Sequence, residues 1–312
     1  MEKDEFQPQP EKAAPAGVSG AHKAGKGPGQ VLGTTLVIIA TICYATEAIA
    51  AKTAYSYGAT VETTLTVRYV VAAAAFWTVL LLWMQPPRLT GRQLLSMAAA
   101  TIGGHAVAVL TLFYAFSFLS AGMAILLLYV YPTIVTVLAY FLLKEPFTFK
   151  KILSLVLTFG GAAVILGQPV NGLDMRGVAL ALMAALMNAI FYVWGAKMLK
   201  EIPVLVFNTY LVTFAMVVFG ALGAATGRLN FDFGVQAWGW LVFLGLVPTA
   251  LALGAVFRGI QLIGPSRASI ISTLEPAITA LLGFWLLGEL LTGVQMAGGT
   301  LILLGVLLQS RG

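Results

Sequence analysis

Adding 144 to the residue numbers of one 25-residue stretch lands on a degenerate copy of it, and no other feature constrains the fold so tightly. Residues 124–148 read AILLLYVYPTIVTVLAYFLLKEPFT, and residues 268–292 read ASIISTLEPAITALLGFWLLGELLT. Identical pairs include Ala124/Ala268, Pro132/Pro276, Ile134/Ile278, Leu138/Leu282, Glu145/Glu289 and Thr148/Thr292. The same offset pairs Gly33 with Gly177, Ala45 with Ala189, Phe113 with Phe257 and Gly161 with Gly305, well outside that window. One ungapped offset along the whole chain marks a duplicated half.

Both copies are apolar enough to sit in lipid. With 59% hydrophobic and 10% charged residues in 312, and a mean hydropathy of +0.92, the chain has too few polar residues to cover a water-soluble globule. Apolar segments of spanning length fall near 31–54, 61–84, 93–116, 121–143, 150–167, 176–198, 203–226, 236–257, 267–288 and 293–310. The fold expected is an all-α integral membrane protein, its ten transmembrane helices arranged as two inverted five-helix repeats, 31–167 and 176–310. The inversion follows from the odd number, because the second copy must enter the bilayer from the opposite side.

The basic residues orient this frame. Of the eighteen Lys and Arg, all but Lys52, Arg68, Arg176 and Arg228 fall on one side if the amino terminus is cytoplasmic. The positive-inside rule then puts both termini in the cytoplasm of a cell whose inner membrane the chain crosses many times. A formal charge of +6 spread over helix ends is not a nucleic-acid footprint, so no nucleic-acid partner is expected. Residues 1–30, rich in Ala, Gly, Pro, Lys and Glu without an apolar core, read as a disordered cytoplasmic tail. A phosphate-loop-like run from Gly20 (GAHKAGKG) has Gly27 where Ser or Thr belongs, and no strand precedes it. Cys43 is the single cysteine, which excludes an internal disulfide and a thiolate cluster.

Chemistry inside the lipid is confined to a few residues. Glu275 lies within an apolar run, where an ionised carboxylate costs about 2.5–3.5 kcal/mol on insertion scales, and Pro276 beside it deprives the Ser272 carbonyl of its helical donor. Ala268, Ser272, Glu275 and Thr279 share one helical stripe that should face the bundle interior. Glu275 reads either as a proton carrier or amine contact, or as a protonated acid joining helices. The first copy has Tyr131 at this position, with Tyr129 nearby. His105 falls mid-span, able to titrate or to make a neutral interhelical bond; Asn188 pairs by the repeat with Tyr44, and both are candidate cavity groups. Glu47 and Arg68 lie at similar depth and are expected to form a gating or structural ion pair. Lys52 and Glu62 read as snorkelling or solvated near the outer surface, and Glu145 and Glu289 as acids at helix starts. Gly104 and His105 correspond to Pro248 and Thr249, so each half should carry an irregular helix at the same depth. Most tryptophans near span ends read as an interfacial belt.

The doubled segment, with YPTIVTVLAYFLLKEPFT in one copy and LEPAITALLGFWLLGELLT in the other, resembles the drug/metabolite transporter superfamily, in the EamA-type branch that includes YddG-like amino-acid exporters. The resemblance runs from about Val31 to the end of the chain. It implies a secondary transporter in which helices one to four and six to nine surround a cavity while helices five and ten brace it. The function expected is export of small organic metabolites such as amino acids or drugs, proton-coupled or facilitative, by alternating access, with an importer of the same fold as the alternative. No catalytic constellation, metal-ligand spacing or nucleotide fingerprint is present in the sequence, so no enzyme activity, metal or cofactor is expected. The expected partners are a small-molecule substrate, the bilayer and, at most, a second copy of the chain.

Overall fold

The computed structural model of the protein describes residues 28–83, 89–131, 133–135, 137–138, 149–166, 174–199, 201–263, 271–272 and 274–310. They form α1 (Pro28–Ala45), α2 (Glu47–Ser56), α3 (Val61–Trp83), α4 (Gly91–Ala100), α5 (Val107–Ala115), α6 (Ala121–Leu128), α7 (Phe149–Leu166), α8 (Met175–Met198), α9 (Val204–Thr226), α10 (Val235–Gly245), α11 (Ala252–Ile263), α12 (Glu275–Leu287) and α13 (Gly293–Ser310). No strand occurs among the described residues. Helices are what an apolar chain is limited to in lipid, since each backbone N–H and C=O must be bonded within its own segment. Six helical stretches are long and apolar enough to cross a membrane: Gly29–Ser56, Val61–Trp83, Gly91–Ala115, Met175–Gly195, Val204–Thr226 and Val235–Gly259. They recur as three in each half, close to the repeat offset. Shorter apolar helices lie at Ala121–Val135, Ile152–Val164, Glu275–Leu287 and Gly293–Gly305.

Packing between the halves is reciprocal. Gly33 of α1 lies against Leu262 and Ile263 of α11, where an added Cβ would come within 2.6 Å of Ile263; its counterpart Gly177 of α8 lies against Phe118 and Leu119 after α5, with 2.7 Å available. Each partner is the other's repeat equivalent. Likewise a Cβ added at Gly161 of α7 would come within 2.5 Å of the Gly298 carbonyl oxygen, and one added at Gly305 of α13 within 2.4 Å of the Thr158 hydroxyl and 2.9 Å of the Ser154 carbonyl oxygen. Residue for residue, this exchange is the pattern of a two-fold contact. Counterpart helices also meet each other, α3 against α9 and α7 against α13, and α6 packs against α12. Glycine at these four places lets backbones approach where lipid supplies no hydrophobic drive.

Several helices are irregular. α4 passes into α5 through a π-helical turn, Thr101–Ala106, and α10 into α11 through a second, Leu246–Leu251. Pro248 has no N–H, and the Thr249 hydroxyl donates to the Leu244 carbonyl at 2.7 Å, which takes up the slack of the widened turn. The first span differs from the unbroken segment expected. It breaks at Thr46, whose N–H and hydroxyl both donate to the Cys43 carbonyl, at 3.2 and 2.6 Å. In the apolar run that carries Glu275, a helix begins at Glu275 itself. α1 also opens at Pro28, inside the stretch read as tail. The phosphate-loop-like run, Pro132, Glu145, Thr148 and Ala268 lie outside the described residues.

Trp83, Trp194, Trp238 and Trp285 are exposed on the helix surface, whereas Trp77 is turned inward and donates to Thr213 at 3.0 Å.

Candidate functional site

The site starts from the bond that Pro276 removes. The Ser272 carbonyl, one turn back, has no helical donor, and the Tyr129 hydroxyl at the end of α6 donates to it instead at 2.5 Å. The same hydroxyl lies 3.0 Å from Glu275 Oε2. Glu275 is half-buried in the first turn of α12. One turn further, Thr279 is fully buried and donates to the Ala45 carbonyl at 3.2 Å, satisfying the last residue of α1 where the first span breaks. Thus Ser272, Glu275 and Thr279 all face the first half of the chain, Ser272 through its backbone oxygen.

The remaining candidates are distributed around this centre. Tyr131 sets its ring edge-on to Tyr129 at 6.0 Å. Tyr44 is half-buried near the end of α1, beside an apolar cluster of Ala40, Cys43, Ala252 and Ala255. Asn188 is half-buried on α8, and no bond joins it to Glu275. Tyr129 carries more of the site than its place in the sequence indicates; the signal that finds it is the orphaned carbonyl, which requires a donor from another helix.

A second group lies on α3. Arg68 Nη2 is 2.8 Å from Glu47 Oε2, the first carboxylate of α2, and both side chains are buried. Arg68 Nε donates to Thr249 in the second π turn at 2.7 Å. Its Nη1 has no hydrogen-bond partner among the described residues, and the guanidinium instead lies over the rings of Phe113 and Tyr69 at 5.0 and 5.4 Å. The next residue, Tyr69, shares a hydrogen bond of 2.8 Å with His105 Nε2 in the first π turn. His105 also packs against Phe191 at 5.0 Å. Consecutive residues of one helix therefore bond to Thr249 and His105, which are repeat counterparts. Nothing in the local sequence of α3 points to that arrangement.

The third group corrects the expectation for Lys52 and Glu62. Glu62 is 4% exposed, not solvated; it accepts from the Tyr114 hydroxyl and from Arg228 Nη1, the latter at 3.2 Å. Lys52 Nζ donates to the carbonyls of Phe116 and Leu119 at 3.1 and 2.7 Å and pairs with Glu289 at 2.8 Å. The other Glu289 oxygen accepts from the Ala121 N–H at 2.7 Å. Glu289 therefore caps α6, in the other half, while Thr292 and Gln295 cap the helix that follows it. These partners come from distant segments, so a count of depth along one helix does not reveal that Glu62 is buried and that Lys52 is half-buried and paired.

No cluster of three or more His, Cys, Asp or Glu suited to a metal ion occurs among the described residues. A cavity of about 540 Å³ opens between the start of α4 and the end of α8, lined by Arg92, Gln93, Trp194 and Glu201 among others, and it includes none of the candidate residues.

Comparison with known proteins agrees with this frame. A sequence profile described as the EamA-like transporter family matches residues 31–167 and again 175–311. An uncharacterized transporter of Archaeoglobus fulgidus is 32% identical over 190 residues, covering 61% of this chain and 67% of that one. The uncharacterized transporter YcbK of Bacillus subtilis is 25% identical over 277 residues, 85% of this chain and 88% of its own. The match to YdfC of the same organism, 29% identical, covers 60% of this chain and 61% of that protein. A solved crystal structure superimposes with a TM-score of 0.66 over 89% of this chain and 96% of its own, at 18% identity, a likeness of fold alone.

Proposed function

The chain belongs to the EamA-like transporter family, and we propose that it is a proton-coupled secondary exporter of small organic metabolites across the cytoplasmic membrane. In this reading ten spans form two inverted five-helix repeats that rock against each other, with both termini in the cytoplasm. The observation that carries it is the placement of Glu275. A carboxylate heads a helix that has proline at its second position, and it lies 3.0 Å from the Tyr129 hydroxyl of the other half. Broken helices near the middle of a bilayer, with their termini aimed at a shared site, are how secondary transporters hold ligands and coupling ions.

Glu275 is the proton carrier, alternately binding a proton and the substrate's polar group. Tyr129, Tyr131, Tyr44 and Asn188 supply the hydrogen-bonding and ring surfaces for an organic solute such as an amino acid or drug. Arg68 with Glu47, and Tyr69 with His105, hold the two π turns that hinge the motion. The reciprocal glycine contacts support rocking of two similar halves. No nucleic-acid partner enters this scheme, and a monomer or homodimer suffices for it.

Metabolite profiling of medium from cells with and without the protein identifies the solute. Reconstituted vesicles loaded with that solute then separate exporter from passive facilitator. Flux should follow an imposed pH gradient and lose that dependence in Glu275→Gln. Flux indifferent to both removes proton coupling and leaves facilitated diffusion through the same frame.

A further inference from the structure

We propose that Tyr129 is the positioning residue that converts the protonation state of Glu275 into a change of helix geometry; the inference rests on the proton-carrier reading of Glu275. A phenol carries one proton. Its oxygen stands 2.5 Å from the Ser272 carbonyl and 3.0 Å from Glu275 Oε2, so one acceptor at a time receives that proton. The shorter contact assigns it to Ser272. The contact to Glu275 is then a hydrogen bond only when the carboxyl is itself protonated and donates to the phenol oxygen.

Ionisation reverses the order. A carboxylate has no proton to give and is the stronger acceptor, because charge-assisted hydrogen bonds are about twice as strong as neutral ones. Tyr129 turns its O–H toward Glu275, and the Ser272 carbonyl loses its donor. Proline at position 276 has none to offer, so the start of α12 loosens. Protonation restores the bond and tightens the joint. Because Tyr129 closes α6 and Glu275 opens α12, the switch acts on a contact between the two halves.

The helices packed against α12 carry other titratable or charged groups, namely Cys43 and Tyr44 on α1, Glu47, Lys52 and Tyr55 on α2, and Tyr131 beside Tyr129. Glu47 is matched by Arg68 and Lys52 by Glu289. Tyr129 is the group within hydrogen-bond distance of both the Glu275 carboxyl and the interrupted backbone.

The test uses the full-length chain in lipid nanodiscs and needs no substrate. The infrared carboxyl band that disappears in Glu275→Gln is followed against pH, together with amide hydrogen exchange of residues 275–283 corrected for its intrinsic pH dependence. In the wild type, exchange should rise about tenfold as the band titrates. Glu275→Gln, which mimics the protonated acid, should stay slow at every pH. Tyr129→Phe should stay fast at every pH while its band still titrates, and Pro276→Ala on that background should restore slow exchange by returning a donor to Ser272. A Tyr129→Phe protein whose exchange still follows pH, or a titrating wild type whose exchange is flat, overturns the switch and leaves the carrier reading intact. Absence of any titrating band that Glu275→Gln removes overturns both.

Discussion

Breaking the Arg68–Glu47 pair tests whether the middle of this bundle is held by charge or by hydrogen bonding alone. Arg68 is 5% exposed and Glu47 9%, with 2.8 Å between Nη2 and Oε2. Glu47→Gln leaves a guanidinium with the Thr249 hydroxyl and two ring faces but no counter-charge. A lone charge at this depth costs about 2.5–3.5 kcal/mol on insertion scales, whereas interhelical hydrogen bonds in membranes average about 0.6 kcal/mol and reach about 1.7. The two accounts therefore differ by more than the error of a stability measurement. Glu47→Gln and Arg68→Met should each destabilise by about 2–3 kcal/mol, and the double variant, which buries no charge, should return to within about 1 kcal/mol of the wild type. Unfolding free energies in bicelles, combined as a double-mutant cycle, give the coupling directly. A coupling near 0.6 kcal/mol, or single variants whose losses simply add, would refute the ionic account. Thr249 would then be an independent lock on the π turn, since it keeps its bond to Leu244 in every variant.

Other contacts make sharper local predictions. Glu289→Gln should cost about 1.5–3 kcal/mol, because it discharges the partner of Lys52 and weakens the cap on α6; a cysteine introduced at Ser117 should then react faster with an impermeant thiol reagent. Gly161→Val and Gly305→Val should each destabilise by about 1–3 kcal/mol, and by similar amounts, since their contacts are reciprocal; a large disparity would argue against the two-fold relation. Tyr69→Phe should cost about 1 kcal/mol by removing the His105 partner, while the Glu275 carboxyl band titrates as in the wild type.

Much of the architecture is already present in one dimension. Apolar run length, glycine spacing and the 144-residue offset are properties of short segments and their recurrence. They lead to an all-helical membrane protein with a repeated design, and the glycines that recur in sequence lie at reciprocal close contacts between the two halves. Proline chemistry is local as well, so the orphaned Ser272 carbonyl and the irregular helices near Gly104 and Pro248 could be reasoned out beforehand. The break at Thr46 was less legible, because hydropathy is blind to a single missing hydrogen bond inside an apolar run.

The partner of each polar group was decided by tertiary structure. Tyr129 and Glu275 are 146 residues apart, Ala121 and Glu289 168, and Arg68 and Thr249 181. Hydropathy reports the depth of a residue in the bilayer but not its azimuth around the bundle, and a buried charge is satisfied by what stands opposite it. That is why Glu62 and Lys52, read from depth as solvated, are enclosed by Tyr114, Arg228 and Glu289. Composition and repetition determined that the chain folds as paired helical halves in lipid; the angular packing of those helices decided which oxygen faces which proton.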